Sequence, residues 1–299
     1  MEYKHVPVML KEVLYHLNVK PGGNYIDCTL GGAGYTVAIA KAVGKKGKVL
    51  ALDMDPVAIK NAKNKIKEEK LENVVLVRSN FKNIEKVAAK HFKKKHDISG
   101  IVFDLGLSSF QLADTKRGFS FQHDAPLDMA FGKQSEKSTE DIVNRYKIED
   151  LTKIFREYGE DKYAYKIAKA IILKRKEGRI LNTLKLAELI KEQYPKRSHY
   201  RIHPATKVFQ ALRMETNQEL DNLKIALPLV AKLLRYKGRL VTVSFHSGED
   251  RVVKLFLKES EQLMAITKKP LLPSLEEQTI NPRSRSAKLR SAIKVEEDK

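Results

Sequence analysis

The chain has a single cysteine, no long apolar run and a deficit of acid relative to base, and each of these closes off a class of protein. Cys28 alone cannot form an internal disulfide, which fits a reducing cytoplasm. The longest apolar stretches, such as Leu240 to Phe245, are far too short to span a bilayer, and charges at Glu2, Lys4, Lys11 and Glu12 speak against a signal peptide. The expectation is a cytoplasmic protein with no membrane partner. With 42% hydrophobic and 31% charged residues in a length of 299, the chain reads as globular rather than disordered. It is long enough for one large domain, or for one domain carrying a second.

The basic excess is large: 57 Lys and Arg against 37 Asp and Glu, a net charge of +20. Such an excess favours a polyanionic partner through phosphate neutralisation and counterion release. A lysine-rich surface without a partner is the competing reading, because many lysines fall in Lys41 to Lys70 and Lys93 to Lys95, which read as solvated helix faces and loops.

The first hundred residues alternate strand and helix. Strands are predicted at Asn24 to Leu30, Lys48 to Asp53, Val74 to Val77 and Ile98 to Leu105. Helices are predicted at Tyr35 to Val43, from Pro56 toward Glu69, and at Ile84 to Phe92. After Leu112 strands are lacking for about a hundred residues. Ser138 with Asp141 makes a capping-box-like start, and helical patterns follow at Glu149 to Tyr158, Lys162 to Glu177, Thr183 to Glu192 and Pro204 to Leu212. A strand returns at Arg239 to Phe245, then a helix at Asp250 to Ser260, and Leu263 to Thr267 with Leu289 to Val295 can close as a β pair. This is an α/β sheet interrupted by a helical insertion.

Asp27-Cys28-Thr29-Leu30-Gly31-Gly32-Ala33-Gly34 joins the first strand to its helix, and Asp53 ends the next strand. A glycine-rich strand-to-helix turn followed by a carboxylate at a strand end is how a doubly wound sheet builds a nucleoside site. The dinucleotide spacing G-x-G-x-x-G is absent, which speaks against a nicotinamide cofactor. An acidic residue before the turn suits S-adenosylmethionine (AdoMet), whose sulfonium and ammonium are cations, and Asp53 can accept from both ribose hydroxyls. A tight turn that merely packs helix on strand is the bland alternative. Phe81 follows the third strand, where an aromatic either covers an adenine face or packs in the core. Asp104 ends the fourth strand amid Phe103, Leu105 and Leu107, where a carboxylate is costly to bury without a partner.

Other polar residues divide similarly. His246, between Ser244 and Ser247, sits where a substrate could approach, or is satisfied by neighbouring hydroxyls. Asp250 and Arg251 read as an ion pair at a helix start, and Arg213 and Asn217 as candidates to face RNA. Arg283, Arg285, Lys288 and Arg290 read as a phosphate-contacting strand or as ordinary exposed basics. His199 and His203 have i, i+4 spacing, but Pro204 and the missing glutamate argue against a zinc helix, and no metal is expected.

Taken in order, His5-Val6-Pro7-Val8-Met9-Leu10, DCTLGGAGYT, LDMDP, FDLGLSSFQL, RGFSF, PLDMA, HPATKVFQALRMETNQEL, SFHSGEDR and NPRSRSAKLR resemble the sequence blocks of the 16S ribosomal RNA cytidine N4-methyltransferases known as RsmH or MraW. The blocks run from Val6 to Arg290, essentially the whole chain. The resemblance implies a class I AdoMet-dependent methyltransferase fold, a Rossmann-like doubly wound sheet with an inserted all-helical subdomain. Residues 1–111 and 214–299 would form the AdoMet-binding domain, and 112–213 the insertion that recognises RNA. It implies methyl transfer to the N4 amine of cytidine 1402 in the decoding centre of 16S rRNA, with the small ribosomal subunit as partner. Monomer and homodimer both stay open. By motif position the AdoMet contacts fall on Ala33, Gly34, Tyr35, Asp53, Phe81, Asp104 and Gln111, with Asp104 and His246 as candidate catalytic residues. Two positions depart from the family, which usually has histidine at Tyr35 and a further glycine at Ala33; backbone amide contacts survive either change.

The amine on cytosine C4 is conjugated with the ring, so its lone pair must be drawn out and aligned with the methyl donor. Positioning and an acceptor for the amine hydrogens do that work without a strong base. Asp104-Leu105-Gly106-Leu107 stands where other amino-methyltransferases carry an Asp/Asn/Ser-Pro-Pro-aromatic motif, without its prolines or aromatic. Asp104 orients the amine, binds AdoMet, or does both. A ribosome-assembly protein without activity, and a methyltransferase of DNA or protein, are the competing functions.

Overall fold

A computed structural model describes residues 7–93, 97–132, 137–195, 200 and 202–295. It divides into two compact units, one made of Met1–Ser109 with Leu220–Lys299 and the other of Phe110–Glu219.

The first unit runs α1 (Leu10–Leu17), β1 (Asn24–Asp27), α2 (Gly34–Val43), β2 (Lys48–Asp53), α3 (Pro56–Glu68), β3 (Val74–Arg78), α4 (Ile84–His91) and β4 (Ile98–Asp104). α5 (Ser109–Ala113) leads into the second unit, with α6 (Thr139–Arg145), α7 (Ile148–Glu157), α8 (Ala164–Glu177), α9 (Thr183–Lys191) and α10 (Ala205–Asn217). The first unit then resumes with α11 (Glu219–Leu233), β5 (Leu234–Ser244), α12 (Ser247–Glu259), β6 (Leu263–Ala265), α13 (Leu275–Ile280) and β7 (Lys288–Lys294). The seven strands form one sheet in the order β3-β2-β1-β4-β5-β7-β6. β1 to β5 pair in parallel, and β7 runs antiparallel to both β5 and β6.

Strand periodicity sorts the core onto two faces. Ile26, Leu50, Leu52, Ile101, Phe103 and Leu240 face α4, α11 and α12, which contribute Ile84, Leu223, Leu227, Val230, Val253 and Leu257. The intervening residues Tyr25, Val49, Val102, Val241 and Val243 face α1 and α2, with Val13, Leu17, Ile39 and Val43. Because helices cover both faces, the central strands read as continuous apolar runs, and every residue of β4 before Asp104 is buried. The sheet order and the two-sided helical cover are those of the class I methyltransferase fold expected from the sequence.

Local signals account for several ends. Asp55 caps α3 by accepting from the Val57 amide, with Pro56 in the first turn, and Ser138 caps α6 by accepting from the Asp141 amide. Four helices, α1, α5, α11 and α13, were not expected. α11 contains Pro228, which removes a backbone donor at a cost of about 3 kcal/mol. Leu223, Leu227 and Val230 are buried on the sheet, each contributing about 1.5–3 kcal/mol, and that outweighs the proline. α1 is only eight residues long, bounded by left-handed Met9 and Asn18, and is held by burying Val13 and Leu17. β5 begins at Leu234 instead of Arg239, because a bulge opposite Ile98 to Gly100 and a left-handed Lys237 let it pair across an irregular register.

Among the described residues of the second unit, the regular elements are helices, with one isolated bridge between Pro126 and Asn182. Ile142, Leu151, Phe155, Ile167, Ile171, Leu186, Ile190, Val208 and Leu212 are buried in it. No helix among the described residues is long and apolar enough to cross a membrane.

Candidate active site at the strand ends

Because β1 to β5 are parallel, their C-terminal ends share one edge of the sheet. The order reverses between β1 and β4: β2 and β3 lie outward of β1, β5 outward of β4. A crevice outside such a switch point is where doubly wound sheets bind ligands. Three adjoining strands finish there on carboxylates, β1 on Asp27, β2 on Asp53 and β4 on Asp104.

Asp27 is buried, and both of its oxygens are engaged. Oδ1 accepts from the Thr29 amide at 3.1 Å and Oδ2 from the Thr36 hydroxyl at 2.7 Å, so it ties the glycine-rich loop to the first turn of α2. Burial lifts its carboxyl to about 6 against the pull of these donors. Thr29 reaches the neighbouring strand end, where its hydroxyl accepts from the Asp104 amide at 2.6 Å. Asp53 accepts from the Gly31 amide at 2.9 Å through Oδ2 and from the Asp55 amide at 2.8 Å through Oδ1; burial lifts it also to about 6. A carboxylate offers about four lone-pair positions, so Asp53 keeps acceptor capacity toward the crevice.

Asp104 differs from both. The residue is partly exposed, yet its Oδ1 is sealed from solvent and has no hydrogen-bond partner among the described residues. Burial, then the charges of Asp27 and Glu249, push its carboxyl well above the usual carboxylate range. A buried acceptor left unpaired, with acids as its charged neighbours, is a position for a cation or a hydrogen-bond donor.

The loop from Gly31 to Tyr35 turns tightly over this edge. Ala33 holds a left-handed conformation at φ 60° and is fully buried. At Gly34 an added Cβ would sit 2.1 Å from Pro7 Cγ, so the residue is glycine because the N-terminal segment crosses directly over it. The Tyr35 side chain is buried in the α1–α2 core and donates its hydroxyl to the Val8 carbonyl. What Tyr35 offers a ligand is its backbone at the start of α2, where first-turn amides have no intrahelical acceptor. Phe81 packs edge-on against Phe103, ring centroids 5.4 Å apart, partly buried on the core beside the third strand's end. Asn80 is buried and accepts from the Lys82 amide at 2.9 Å.

His246 caps α12. Its Nδ1 accepts from the Glu249 amide at 3.3 Å, and Nε2 lies 3.1 Å from Glu249 Oε1, off the line of a hydrogen bond. Glu249 Oε2 accepts in turn from the Phe245 amide at 2.9 Å. The neighbouring serine hydroxyls are not among these ring partners. Glu249 is the member of this edge that sequence reasoning missed. In the sequence it looks like an ordinary first-turn acid, and its only signal is its place three residues after the cap, as in a capping box.

Other expected residues are placed elsewhere. Gln111 is buried on α5 and belongs to the second unit, so it is not among the side chains the first unit gathers. Asp250 has Arg290 as an ion-pair partner. Arg290 donates to it through Nε at 2.6 Å and Nη2 at 3.1 Å, which removes Arg290 from the set of exposed basics. Arg213 and Asn217 do not face outward: Arg213 is buried on Glu219 with contacts of 2.7 and 2.8 Å, and Asn217 is buried on the Met129 and Arg213 carbonyls. His203 packs against Phe121 with the rings tilted by 34°, and its Nδ1 accepts from the Ala205 amide. His199 lies outside the described residues.

Comparison with known proteins adds to this geometry. A family model described as the MraW methylase family matches residues 2–295. The Ribosomal RNA small subunit methyltransferase H of Clostridium botulinum (strain Loch Maree) is 43% identical, the alignment covering 99% of this chain and all of the relative. The protein of that name from Carboxydothermus hydrogenoformans is 42% identical, over 99% of each chain. A solved structure titled as a rRNA methylase from Streptococcus thermophilus aligns with 98% of this chain and all of its own at 11% identity and a TM-score of 0.48, too distant to bear on the site.

Proposed function

The chain belongs to the MraW methylase family, and from that premise we propose that it methylates 16S rRNA of the small ribosomal subunit, transferring a methyl group from AdoMet to the N4 amine of one decoding-centre cytidine. The observation that carries this reading is the edge itself: three strand-end carboxylates at the switch point, one with a sealed, unpartnered oxygen.

The residues fit AdoMet by the chemistry of their donor set. Asp53 has acceptor capacity for ribose hydroxyls, the backbone of Ala33, Gly34 and Tyr35 offers amides to a carboxylate, Phe81 flanks the base position, and Asp104 faces the cationic end. Bound there, AdoMet supplies an electrophilic methyl group on a sulfonium.

The protein's part is to hold and to orient. Thr29 and Asp27 fix the Asp104 backbone from the neighbouring strand. The Asp104 carboxylate accepts a hydrogen bond from the incoming amine, drawing its lone pair out of conjugation with the ring. A cation beside it lowers the cost of its charge, so the ionised acceptor forms when the site is filled. His246 is the second candidate to contact the base, held by Glu249. The target base must leave its stack to reach this edge, and the second unit, residues 110–219, is proposed to recognise the RNA around it.

The test is to incubate the purified protein with labelled AdoMet and small subunits from cells lacking the modification, then to locate the label by nuclease mapping and mass spectrometry. Label on N4 of one cytidine is the expected result. Transfer to DNA or protein instead would overturn the substrate, and absence of AdoMet binding would overturn the enzyme.

A further inference from the structure

We propose that Arg283 and Arg285, with Lys288, hold the phosphate backbone of the RNA strand whose base enters the crevice; this rests on the rRNA reading above. Val243 of β5 pairs with Asp104 on one side and with Leu289 of β7 on the other, so these three residues form a row across the catalytic edge. Two strand spacings of about 4.8 Å put the start of β7 roughly 10 Å from Asp104 along that row. Lys288 opens β7 opposite Ser244, and the two arginines sit in the 3₁₀ turn Pro282–Ser286 immediately before it. Positive charge at this spot lies beside the point where a cytosine must be presented to Asp104.

The backbone of the turn is anchored between its arginines. Ser284, between them, is fully buried; its amide donates to the Asn281 carbonyl at 2.9 Å, its hydroxyl to the same carbonyl at 2.8 Å, and its own carbonyl accepts from the Ala287 amide at 2.8 Å. Pro282 sets the entry. Arg283 and Arg285 flank this anchor and are exposed. Arg290, the fourth basic residue of the segment, is committed to Asp250 and is excluded from the contact. The sequence run therefore divides into a buried structural arginine and an exposed pair flanking the anchored Ser284, of which Arg283 also has a partner within the protein. Guanidinium forks suit phosphate oxygens in a way that a diffuse basic surface does not.

Because the net charge is +20, the experiment must separate position from bulk charge. Binding to unmethylated small subunits is measured across a salt series for the full-length protein, for R283Q/R285Q, and for K45Q/K70Q. The lysine pair is also exposed but lines a cavity of about 540 Å³ at the opposite sheet edge, where β2 and β3 begin. Each phosphate contact to a single strand contributes about 0.7 to the slope of log K against log salt, so losing two flattens it by about 1.4. R283Q/R285Q is expected to show that flattening and a KM for subunits raised about tenfold, with kcat at saturation and AdoMet affinity within twofold of wild type. K45Q/K70Q is expected to leave slope and KM unchanged. Since Arg283 also has a partner within the protein, R285Q alone is run beside the double variant; with AdoMet binding retained, it should give half the slope change. Equal effects from the arginine and lysine pairs, or none from either, overturn the proposal while the rRNA reading stands. A wild-type protein that neither binds nor methylates the subunit overturns both.

Discussion

Replacing Asp104 by asparagine separates what this carboxyl does for folding from what it does for chemistry. In the free protein its Oδ1 is sealed without a partner, and Asp27 and Glu249 are its charged neighbours. Leaving a buried polar group unsatisfied costs about 1–3 kcal/mol, and more when it is charged. The sign follows from linkage: the folded-state pKa is raised, so the native state holds the proton more tightly than the unfolded chain, and stability falls as pH rises from the ordinary carboxylate range through the raised value. Asparagine keeps the shape and removes the titration. At pH 7.5 and without ligand, D104N should be more stable by about 1–2 kcal/mol, a rise in Tm of roughly 2–8 °C at about 2–4 °C per kcal/mol for domains of this size. The gain should shrink steadily as pH is lowered toward the ordinary carboxylate pKa of about 3.9, below which the wild-type group is protonated in both states. Methyl transfer should fall at least a hundredfold, the usual scale for losing a positioned acceptor. Thermal scans at pH 5.5 and 7.5 with single-turnover transfer test this. A D104N protein that melts lower at pH 7.5, or with the same difference at both pH values, would mean that the carboxylate is compensated in the free protein. Transfer within a few-fold of wild type would remove Asp104 from the chemistry.

Other consequences follow from the same contacts. Asp27 and Asp53 sit near 6, so lowering pH from 7.5 to 5.5 protonates both and should weaken AdoMet binding about three- to tenfold. Calorimetry at pH 6 in buffers of different ionisation heat should register proton release on binding; a flat Kd with no proton release would contradict this. R290A strands Asp250 at 13% side-chain exposure and should cost about 3–5 kcal/mol in denaturant unfolding, with D250A/R290A costing less than the sum of the single variants. Strict additivity would show the pair to be uncoupled. Tyr35→Phe removes the donor to the Val8 carbonyl and should cost about 1–2 kcal/mol while speeding amide exchange across residues 8–13; unchanged exchange would mean the N-terminal segment is held by other contacts.

The parts of the fold legible in the sequence are those where local pattern and burial agree. β2 was expected at its observed bounds because Lys48 and Asp53 bracket an apolar run, and α6 begins at its predicted cap because Ser138 and Asp141 bond as the spacing implies. α11 was illegible because Pro228 argues locally against a helix and only burial on the sheet overrules it. Arg290 and Arg213 read as surface bases because their partners, Asp250 and Glu219, are set by tertiary structure; Arg290 lies 40 residues from its acid in sequence. Glu249 was missed for the converse reason, since a helix-start acid is ordinarily solvated and this one is buried.

The candidate site was legible to the extent that topology alone determines it. Residues that end successive parallel strands on either side of a switch point must share an edge, so Asp27, Asp53 and Asp104 are brought together by strand order whatever their side chains do. The sequence does not show how they are treated once assembled. Two have both oxygens engaged, Asp27 by an amide and a hydroxyl and Asp53 by two amides, and the third is left with a sealed, unpaired oxygen. Folding alone would not select that difference, because an apolar or amide side chain at Asp104 would cost less in the free protein. A carboxyl kept where it destabilises the empty fold, next to two others that shape the loop around it, is accounted for by a bound cation or donor that its charge attracts. The stability gained by D104N in the free protein and the transfer it loses are thus two measurements of one interaction.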